Sequence, residues 1–354
     1  MTVRFTIPDF RPHRLLRNGH AQTLAGAYLP SGRFVERAVK RQVTLPDGDS
    51  VVLHDDLPSE WRPGDRVALL LHGLAGNHQS SYMLRIARKL VRRRVRAFRM
   101  DLRGCGAGEG LSSRPYHAGR SEDARAALEY LQTLCRGSLA TVVGFSLSGN
   151  TVLKLVGELP DSVPINVERA AAVCPSLDLA LCARSLLGPC QKMYERHFVW
   201  LLCRQIEANR RLRPDVPALN AERRLKTLLE FDDAYTGPVC GFGTADNYYA
   251  INSARGHVAK IRLPTLILTA EDDPLVPIAS FDALASPPNV IVHRTEHGGH
   301  LGYIGKAGVD ADLRWMDWRI VDWATANLAP AKSAAPPADP ARPTLADSVA
   351  RFRN

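Results

Sequence analysis

The sequence predicts an α/β fold in which helices flank a mostly parallel central sheet. Short buried runs of strand length alternate with helical runs along most of the chain, and this alternation is typical of parallel sheets covered by helices. The alternation stops between residues 176 and 237, where helical patterns occur with little strand signal. Since this interruption follows the sixth predicted strand, we expect a helical cap above the carboxyl ends of the strands.

The strands are predicted from apolar runs bounded by turn residues. An N-terminal extension, residues 1–40, contains frequent turn dipeptides. The main domain, residues 41–328, opens with a hairpin around Pro46-Asp47-Gly48, and buried strands are then predicted at 67–71, 95–100, 141–145, 170–174, 265–269 and 290–293. Residues 329–354 are rich in Ala and Pro and bury little apolar surface, so a disordered tail is predicted there.

Helices are predicted where apolar residues recur at spacings of three and four. Ser80 or Ser81 is the expected N-cap of the first helix, because a serine side chain can accept a hydrogen bond from a free helical amide. Glu122 and Asp123 lie in the first turn of the second helix, where acidic side chains are favourable. The predicted helices span 80–94, 121–135, 147–159, 177–187, 191–213, 221–229, 278–285 and 310–328.

Composition excludes several classes of protein. The net charge is +10, and the densest basic cluster, residues 85–99, is expected to be a solvated helix face, because no nucleic-acid-binding motif accompanies it. The seven cysteines show no zinc spacing, and no apolar stretch is long enough to cross a bilayer. We therefore predict a cytoplasmic protein without metal, cofactor or nucleic-acid partner, and with at most transient contact with a lipid surface.

A serine on a tight turn carries the strongest chemical signal. In Gly144-Phe145-Ser146-Leu147-Ser148 a predicted strand leads into a serine and then a helix, which is the pattern of a nucleophile elbow. The residues two positions before and after the nucleophile must be small, because strand and helix approach closely. Gly144 and Ser148 meet this requirement around Ser146, whereas Ser148 would have the bulkier Asn150 as a neighbour. Ser146 is therefore the predicted nucleophile.

A serine nucleophile needs a base that accepts its proton and an acid that orients the base. Asp273 follows the next-to-last predicted strand in an Asp-x-x-Val-Pro turn and is the predicted acid, with Asp272 as the alternative. His300 follows the last predicted strand and two glycines, and is the predicted base in preference to His297. The order serine, acid, histidine is that of the α/β-hydrolase fold, which is the fold predicted here.

Two further sets of residues complete the predicted site. The backbone amides of Leu74, in the loop after the strand at 67–71, and Leu147, directly after the nucleophile, are the expected donors of an oxyanion hole. In the cap, Phe198, Trp200 and Leu201 belong to an apolar run that we expect to line an acyl pocket. Packing of this run onto the core is an alternative that the sequence leaves open.

Short motifs are distributed from about residue 19 to residue 323. They are Gly19-His20-Ala21-Gln22-Thr23, Leu45-Pro46-Asp47-Gly48-Asp49, His72-Gly73-Leu74, Arg103-Gly104-Cys105, Tyr116-His117-Ala118-Gly119, Gly144-Phe145-Ser146-Leu147, Phe231-Asp232-Asp233, Tyr248-Tyr249, Asp272-Asp273-Pro274 and His297-Gly298-Gly299-His300. Together they resemble the motifs of the YheT-type α/β-hydrolases, a family related to yeast medium-chain ester-forming acyltransferases and mammalian ABHD lipid hydrolases. The resemblance implies a triad that falls on Ser146, Asp273 and His300. The family usually has Gly-Gly-Asn where this chain has Ser148-Gly149-Asn150.

These observations predict a serine carboxylesterase that works through an acyl-enzyme on Ser146 and needs no cofactor. Short- to medium-chain acyl esters or monoacylglycerol-like lipids are the expected substrates. Acyl transfer to an alcohol is the alternative, since the same triad serves both reactions. A non-catalytic binding protein on this fold is disfavoured, because no residue of the triad is missing. Neither the natural substrate nor the oligomeric state follows from the sequence.

Overall fold

The central sheet has eight strands. The structure, a computed structural model, describes residues 4–30, 38–219 and 224–327, so the predicted tail at 329–354 lies outside the described residues. Within the described part the strands are β1 (Val39–Thr44), β2 (Ser50–Asp56), β3 (Val67–Leu71), β4 (Arg96–Asp101), β5 (Ala140–Phe145), β6 (Val167–Val173), β7 (Thr265–Ala270) and β8 (Val290–Thr295). Their order across the sheet is β1-β2-β4-β3-β5-β6-β7-β8. Only the β1–β2 and β2–β4 pairs of this sheet are antiparallel, which confirms the predicted fold class.

Helices cover both faces of the sheet and form the cap. In the described residues they are α1 (Gly19–Tyr28), α2 (Ser81–Arg92), α3 (Ser121–Leu134), α4 (Leu147–Glu158), α5 (Leu179–Ser185), α6 (Lys192–Leu212), α7 (Leu228–Phe231), α8 (Gly237–Val239), α9 (Ala245–Asn252) and α10 (Trp315–Thr325), with a π-helical turn, Asp232–Thr236, between α7 and α8. Helices α5 to α9 lie between β6 and β7, where the cap is predicted. None of the described helices combines the length and apolar character that a bilayer crossing requires.

The core has two halves, one on each face of the sheet. Along β3, Leu69 contributes to the cluster packed under α3 and α4, while Leu70 contributes to the cluster packed under α2 and α10. Every residue of β3 is buried, as in parallel strands covered on both faces. The chain leaves β3 toward β4 and then returns to the other side of β3 as β5. The carboxyl ends of β3 and β5 therefore meet at a topological switch point, where α/β folds place their sites.

Several elements differ from the predictions. Asn18-Gly19 is one of the dipeptides predicted as turns in the N-terminal extension, but α1 begins there, because the Asn18 side chain caps the helix by accepting a hydrogen bond from the Ala21 amide at 2.8 Å. The cap continues past residue 237 through α9. The helix predicted at 278–285 is a single 3₁₀ turn, Ile278–Phe281. Ser80 precedes α2, but its hydroxyl accepts a hydrogen bond from the Asn77 amide instead of capping α2.

The prediction that residues 85–99 form a solvated helix face is wrong for four basic side chains. These four side chains are buried in ion pairs: Arg85, Lys89, Arg96 and Arg99. Arg85 and Lys89 lie 2.8 and 3.0 Å from the Asp317 carboxylate, which joins α2 to α10. Local charge pattern did not reveal this burial, because Asp317 lies 232 positions away from Arg85.

Candidate active site

The strand–serine–helix turn is present and strained. Strand β5 ends at Phe145, α4 begins at Leu147, and Ser146 between them has φ +54° and ψ −117°. A positive φ is uncommon for a residue other than glycine, and strained backbone of this kind clusters at functional sites. A Cβ at Gly144 would lie 2.0 Å from the carbonyl oxygen of Ser148, so only glycine fits there. The strand and the helix therefore approach as closely as the elbow pattern requires.

Ser148 has a structural role that the sequence did not indicate. Its side chain is completely buried, and its hydroxyl donates a short hydrogen bond to the carbonyl oxygen of His72. His72 directly follows β3, so this bond ties the first turn of α4 to the loop that carries Leu74. A small residue that can donate a hydrogen bond is well suited to this position, which accounts for a serine where the resembling family has glycine.

A chain of hydrogen bonds joins Ser146, His300 and Asp273. The Oγ of Ser146 lies 2.8 Å from Nε2 of His300, and Nδ1 of His300 lies 2.8 Å from Oδ2 of Asp273. When the Nδ1–H donates to the carboxylate, Nε2 carries the lone pair that can accept the serine proton. Both His300 and Asp273 are buried, so water competes little for these bonds.

The turn after β7 orients Asp273. Its second oxygen, Oδ1, accepts hydrogen bonds from the amides of Leu275 and Val276 at 2.8 and 3.0 Å, which leaves Oδ2 for His300. The two alternatives lie elsewhere: Asp272 accepts a hydrogen bond from the Gly299 amide, and His297 lies 3.5 Å from Asp272. The structure therefore brings Asp273 and His300 to Ser146, and neither Asp272 nor His297.

The two residues predicted to supply the oxyanion donors line the same cavity as the serine. Leu147 is the first residue of α4, where an amide has no acceptor within the helix. Within residues 4–30, 38–219 and 224–327, no protein acceptor lies within hydrogen-bond distance of the Leu147 or Leu74 amide. Both residues line the cavity onto which Ser146 opens. Two free amides at such a point could stabilise negative charge on a substrate oxygen.

Hydrogen bonds on either side of Leu74 hold its loop. The Gly73 amide donates to the Tyr82 hydroxyl at 2.9 Å, and the Ala75 amide donates to the Tyr116 hydroxyl at 2.8 Å. Ala75 has φ +55°, so the chain turns sharply after Leu74. The Leu74 amide therefore lies between two residues whose own amides are held by hydrogen bonds to tyrosine hydroxyls.

Helix α1 holds the loop that carries His300. The Thr23 hydroxyl accepts a hydrogen bond from the His300 amide at 2.9 Å and donates to the Gly19 carbonyl at 2.7 Å. The Gln22 side chain accepts from the Ile304 amide at 2.7 Å and donates to the Ile304 carbonyl at 3.1 Å. These contacts give a role to the motif Gly19–Thr23, for which sequence reasoning found none.

The same helix contacts the cap. Nδ1 of His20 lies 3.1 Å from the Tyr194 hydroxyl on α6, and the two rings stack with their centroids 5.7 Å apart. Helix α1 therefore bridges the His300 loop and the cap. The only signal in the sequence was the recurrence of this motif in the resembling family.

An apolar cavity lies between the cap and the sheet. Its empty space amounts to about 800 Å³ when the part that is open to solvent is included. Ser146 lies at its wall, and large apolar side chains form much of the lining: Leu179, Leu186, Phe198, Leu202, Leu228 and Phe231.

Of the three cap residues predicted to line a pocket, the structure brings only Phe198 to the cavity. Trp200 lies about 200° around α6 from Phe198 because each helical residue advances by about 100°. Its ring is 50% exposed, stacks on His197 and lies under the Arg204 guanidinium. Leu201 is partly buried but does not reach the cavity, whereas Leu202, one turn after Phe198, does.

Two titratable side chains that sequence reasoning did not select also line the cavity. Burial lowers the pKa of His117 well below its usual value, so this imidazole is neutral at pH 7. Burial raises the pKa of Asp232 to about 6, although the Thr236 and Tyr249 hydroxyls act in the opposite direction. Asp232 belongs to a motif shared with the resembling family, but its place in the cavity depends on the π-helical turn.

Among the residues that the structure describes, two clusters have the side chains that could hold a metal ion. One is Cys174 with Asp273 and His300, in which Asp273 and His300 already bond to each other and His300 also bonds to Ser146. The other is the buried set of His54, His78 and Asp101. There both imidazoles place a nitrogen within 3 Å of the same Asp101 oxygen, at 2.9 and 2.7 Å, and their rings stack in parallel. The two imidazoles of this cluster therefore share one carboxylate oxygen of Asp101 as their hydrogen-bond partner.

The comparisons with known proteins agree with this geometry. A family profile described as "alpha/beta hydrolase fold" matches residues 67–307. YheT of Escherichia coli (strain K12) is 32% identical over 90% of this chain and 94% of its own length. The medium-chain fatty acid ethyl ester synthase/esterase 2 of Saccharomyces cerevisiae is 27% identical over 72% of this chain. A monoacylglycerol lipase of the same yeast is 26% identical over 78% of this chain. The matches span 62% of each yeast protein.

Solved structures show the same fold. The Pyrococcus furiosus esterase Pf2001 matches with a TM-score of 0.54 at 13% identity, over 90% of this chain and 98% of that chain. The 2,6-dihydroxy-pseudo-oxynicotine hydrolase matches with a TM-score of 0.53 at 16% identity, over 86% of this chain and 70% of that chain. With the family profile and the YheT match, the conclusion is that this chain belongs to the α/β-hydrolase fold family, as a relative of YheT.

Proposed function

We propose that the protein is a serine carboxylesterase that hydrolyses short- to medium-chain acyl esters or monoacylglycerol-like lipids. The observation that carries this proposal is the hydrogen-bonded chain from Asp273 through His300 to Ser146 at the wall of an apolar cavity. The names of the relatives, which include esterases and a monoacylglycerol lipase, support the same class of reaction.

In the proposed reaction His300 Nε2 takes the proton of Ser146 as the serine oxygen attacks the ester carbonyl. The Leu74 and Leu147 amides donate to the oxyanion of the tetrahedral intermediate. His300 then protonates the departing alcohol oxygen, which leaves an acyl group on Ser146. Water, deprotonated by His300, attacks this acyl group and releases the acid. Asp273 keeps the imidazole in the required tautomer and stabilises its protonated form.

The cavity supports an acyl chain as the buried part of the substrate. Phe198, Leu202 and the other apolar side chains offer a surface without hydrogen-bond donors, and each buried methylene of a ligand gains about 0.8 kcal/mol.

A fluorophosphonate probe tests the nucleophile. Such a probe should label the wild-type protein and Ser148→Ala, and should fail to label Ser146→Ala. Ser148→Ala is the matched control, because it removes a neighbouring hydroxyl that is bonded to the His72 carbonyl. Equal labelling of Ser146→Ala and the wild type would contradict the assignment of Ser146.

Hydrolysis of a series of nitrophenyl esters, from acetate to laurate, tests the substrate class. The rate should pass through a maximum at short or medium chains and disappear in Ser146→Ala. Transfer to an alcohol was the alternative, and no contact of the described residues favours it. Product analysis with an ester and ethanol distinguishes the two reactions: a new ethyl ester as the main product would overturn hydrolysis as the main reaction.

A further inference from the structure

Asp232 places a carboxylate in the wall of an otherwise largely apolar cavity. It is the first residue of the π-helical turn, Asp232–Thr236, and lines the same cavity as Ser146. Thr236 donates a hydrogen bond to one carboxylate oxygen at 2.6 Å, and Tyr249 donates to the other at 2.7 Å. π-Helical turns are rare and are frequent at functional sites.

Within the described residues, no cation neutralises this carboxylate. In the described part of the chain, none of the Lys, Arg or His side chains forms an ion pair with Asp232, whereas Asp317, Asp55 and Asp123 are each paired with arginine. An ionised carboxylate in an apolar setting is unfavourable unless hydrogen bonds compensate for the lost water. Two hydroxyls supply part of that compensation.

The carboxylate retains capacity for further donors. Its two oxygens offer about four acceptor positions, of which Thr236 and Tyr249 occupy one on each oxygen. Asp232 is partly buried and lines the cavity, so the cavity is the side from which a further donor can approach. A ligand that fills the cavity and carries a hydrogen-bond donor can therefore bond to the carboxylate at these positions.

An acyl chain has no such donor, so the donor must belong to the alcohol part of the ester. We propose that Asp232 is a specificity-determining residue that accepts a hydrogen bond from a free hydroxyl of the alcohol part, as in a glycerol monoester. This inference rests on the proposed esterase function and narrows its substrate class to esters of polyhydroxy alcohols.

A neutral hydroxyl fits better than a cationic group. Both existing donors to Asp232 are hydroxyls, and burial of the carboxylate disfavours its charge and raises the pKa of Asp232 to about 6. A hydroxyl can donate a hydrogen bond to the ionised carboxylate, and it can accept a hydrogen bond from the protonated carboxylic acid. An ammonium ion can bind only the ionised form.

The test compares two esters that share one acyl chain. For 1-monooctanoylglycerol and propyl octanoate, which differ only in two hydroxyls, kcat/KM is measured on the wild type and on Asp232→Asn. The wild type should prefer the glycerol ester, and Asp232→Asn should reduce that preference by about tenfold or more, since hydrogen bonds to charged groups are the stronger ones. Asp233→Asn is the matched control. Asp233 is exposed, accepts a hydrogen bond from the Ala245 amide and does not line the cavity, so the preference should stay unchanged.

Three results would overturn the proposal. In the first, the wild type shows no preference for the glycerol ester. This result is measured on the wild type alone and does not depend on whether a variant folds. An equal loss on both esters in Asp232→Asn is the second, because a purely structural role predicts it. The third is an Asp232-dependent preference for choline octanoate in place of the glycerol ester, which would indicate recognition of a cation. The wild type should also hydrolyse propyl octanoate, and Ser146→Ala should not. If this holds while the preference for the glycerol ester fails, the inference about Asp232 is wrong but the esterase function is not.

Discussion

Replacing Thr23 by valine should slow the reaction although Thr23 does not line the substrate cavity. The Thr23 hydroxyl accepts the hydrogen bond of the His300 amide, and valine has the same shape without the acceptor. The imidazole of His300 must lie within hydrogen-bond distance of both Ser146 and Asp273. A small displacement of the backbone at His300 therefore changes two distances at once.

The magnitude follows from the lost hydrogen bond. A buried amide left without an acceptor costs about 1–3 kcal/mol. If this free energy appears in the barrier, kcat/KM falls by roughly five- to a hundredfold, since about 1.4 kcal/mol corresponds to a factor of ten. The loss should appear in kcat, while KM stays close to the wild-type value, because Thr23 is not among the residues that line the cavity.

Steady-state kinetics with a nitrophenyl ester measure both parameters, and Thr23→Ser is the control. Serine retains the oxygen, so most of the wild-type rate should return, whereas a loss of methyl packing would affect serine more than valine. Thermal unfolding of both variants separates a general loss of stability from a displaced histidine. If Thr23→Val and Thr23→Ser have equal kcat values, the hydroxyl does not position His300 and the reasoning is refuted.

Two further predictions concern the cap helix and a buried charge. Trp200→Ala should leave the preference for acyl-chain length unchanged because this ring lies outside the cavity, whereas Leu202→Ala should shift the preference toward longer chains by enlarging it. Rates over the nitrophenyl ester series measure both changes, and a shift with Trp200→Ala alone would contradict the assigned lining. Asp101→Asn should lower the free energy of unfolding by about 3–5 kcal/mol at neutral pH, because a buried charged partner is lost. Burial acts to raise the pKa of Asp101, but hydrogen bonds from His54 and His78 outweigh it and lower the pKa below the usual value. The carboxylate therefore stabilises the fold above the unfolded pKa of about 3.9, and this contribution is lost as the pH falls through the lower folded pKa. Denaturant titrations should show a smaller difference between the variant and the wild type at about pH 3 than at neutral pH; equal differences would show that the charge is not the cause.

Local patterns were sufficient to select the residues that the structure brings together around Ser146. The serine, Asp273 and His300 each follow a strand of one parallel sheet, and the carboxyl ends of such strands meet at one edge. The small residues around the nucleophile are visible in the five positions 144–148 of the sequence. The fold class followed from the alternation of strand and helix patterns along the chain, although the observed ends of several helices differ from the predicted ones by a few residues.

Contacts between distant positions could not be predicted in this way. Thr23 and His300 are 277 positions apart, and no periodic pattern links them. Asp232 reaches the cavity through a π-helical turn, which has no reliable sequence signal. Trp200 was assigned to the pocket because its apolar neighbours form an unbroken run, but on a helix such a run points in several directions.

The contact between Thr23 and the His300 loop also sets an order of assembly on the ribosome. Helix α1 is made early, whereas the segment that it holds is made only after both the sheet through β8 and the cap. Because the chain is made from its N-terminus, α1 exists long before the segment that becomes its partner. A partly synthesised chain that lacks His300 has the serine but not the base, so the proposed reactivity is withheld until His300 has been added and the domain has folded.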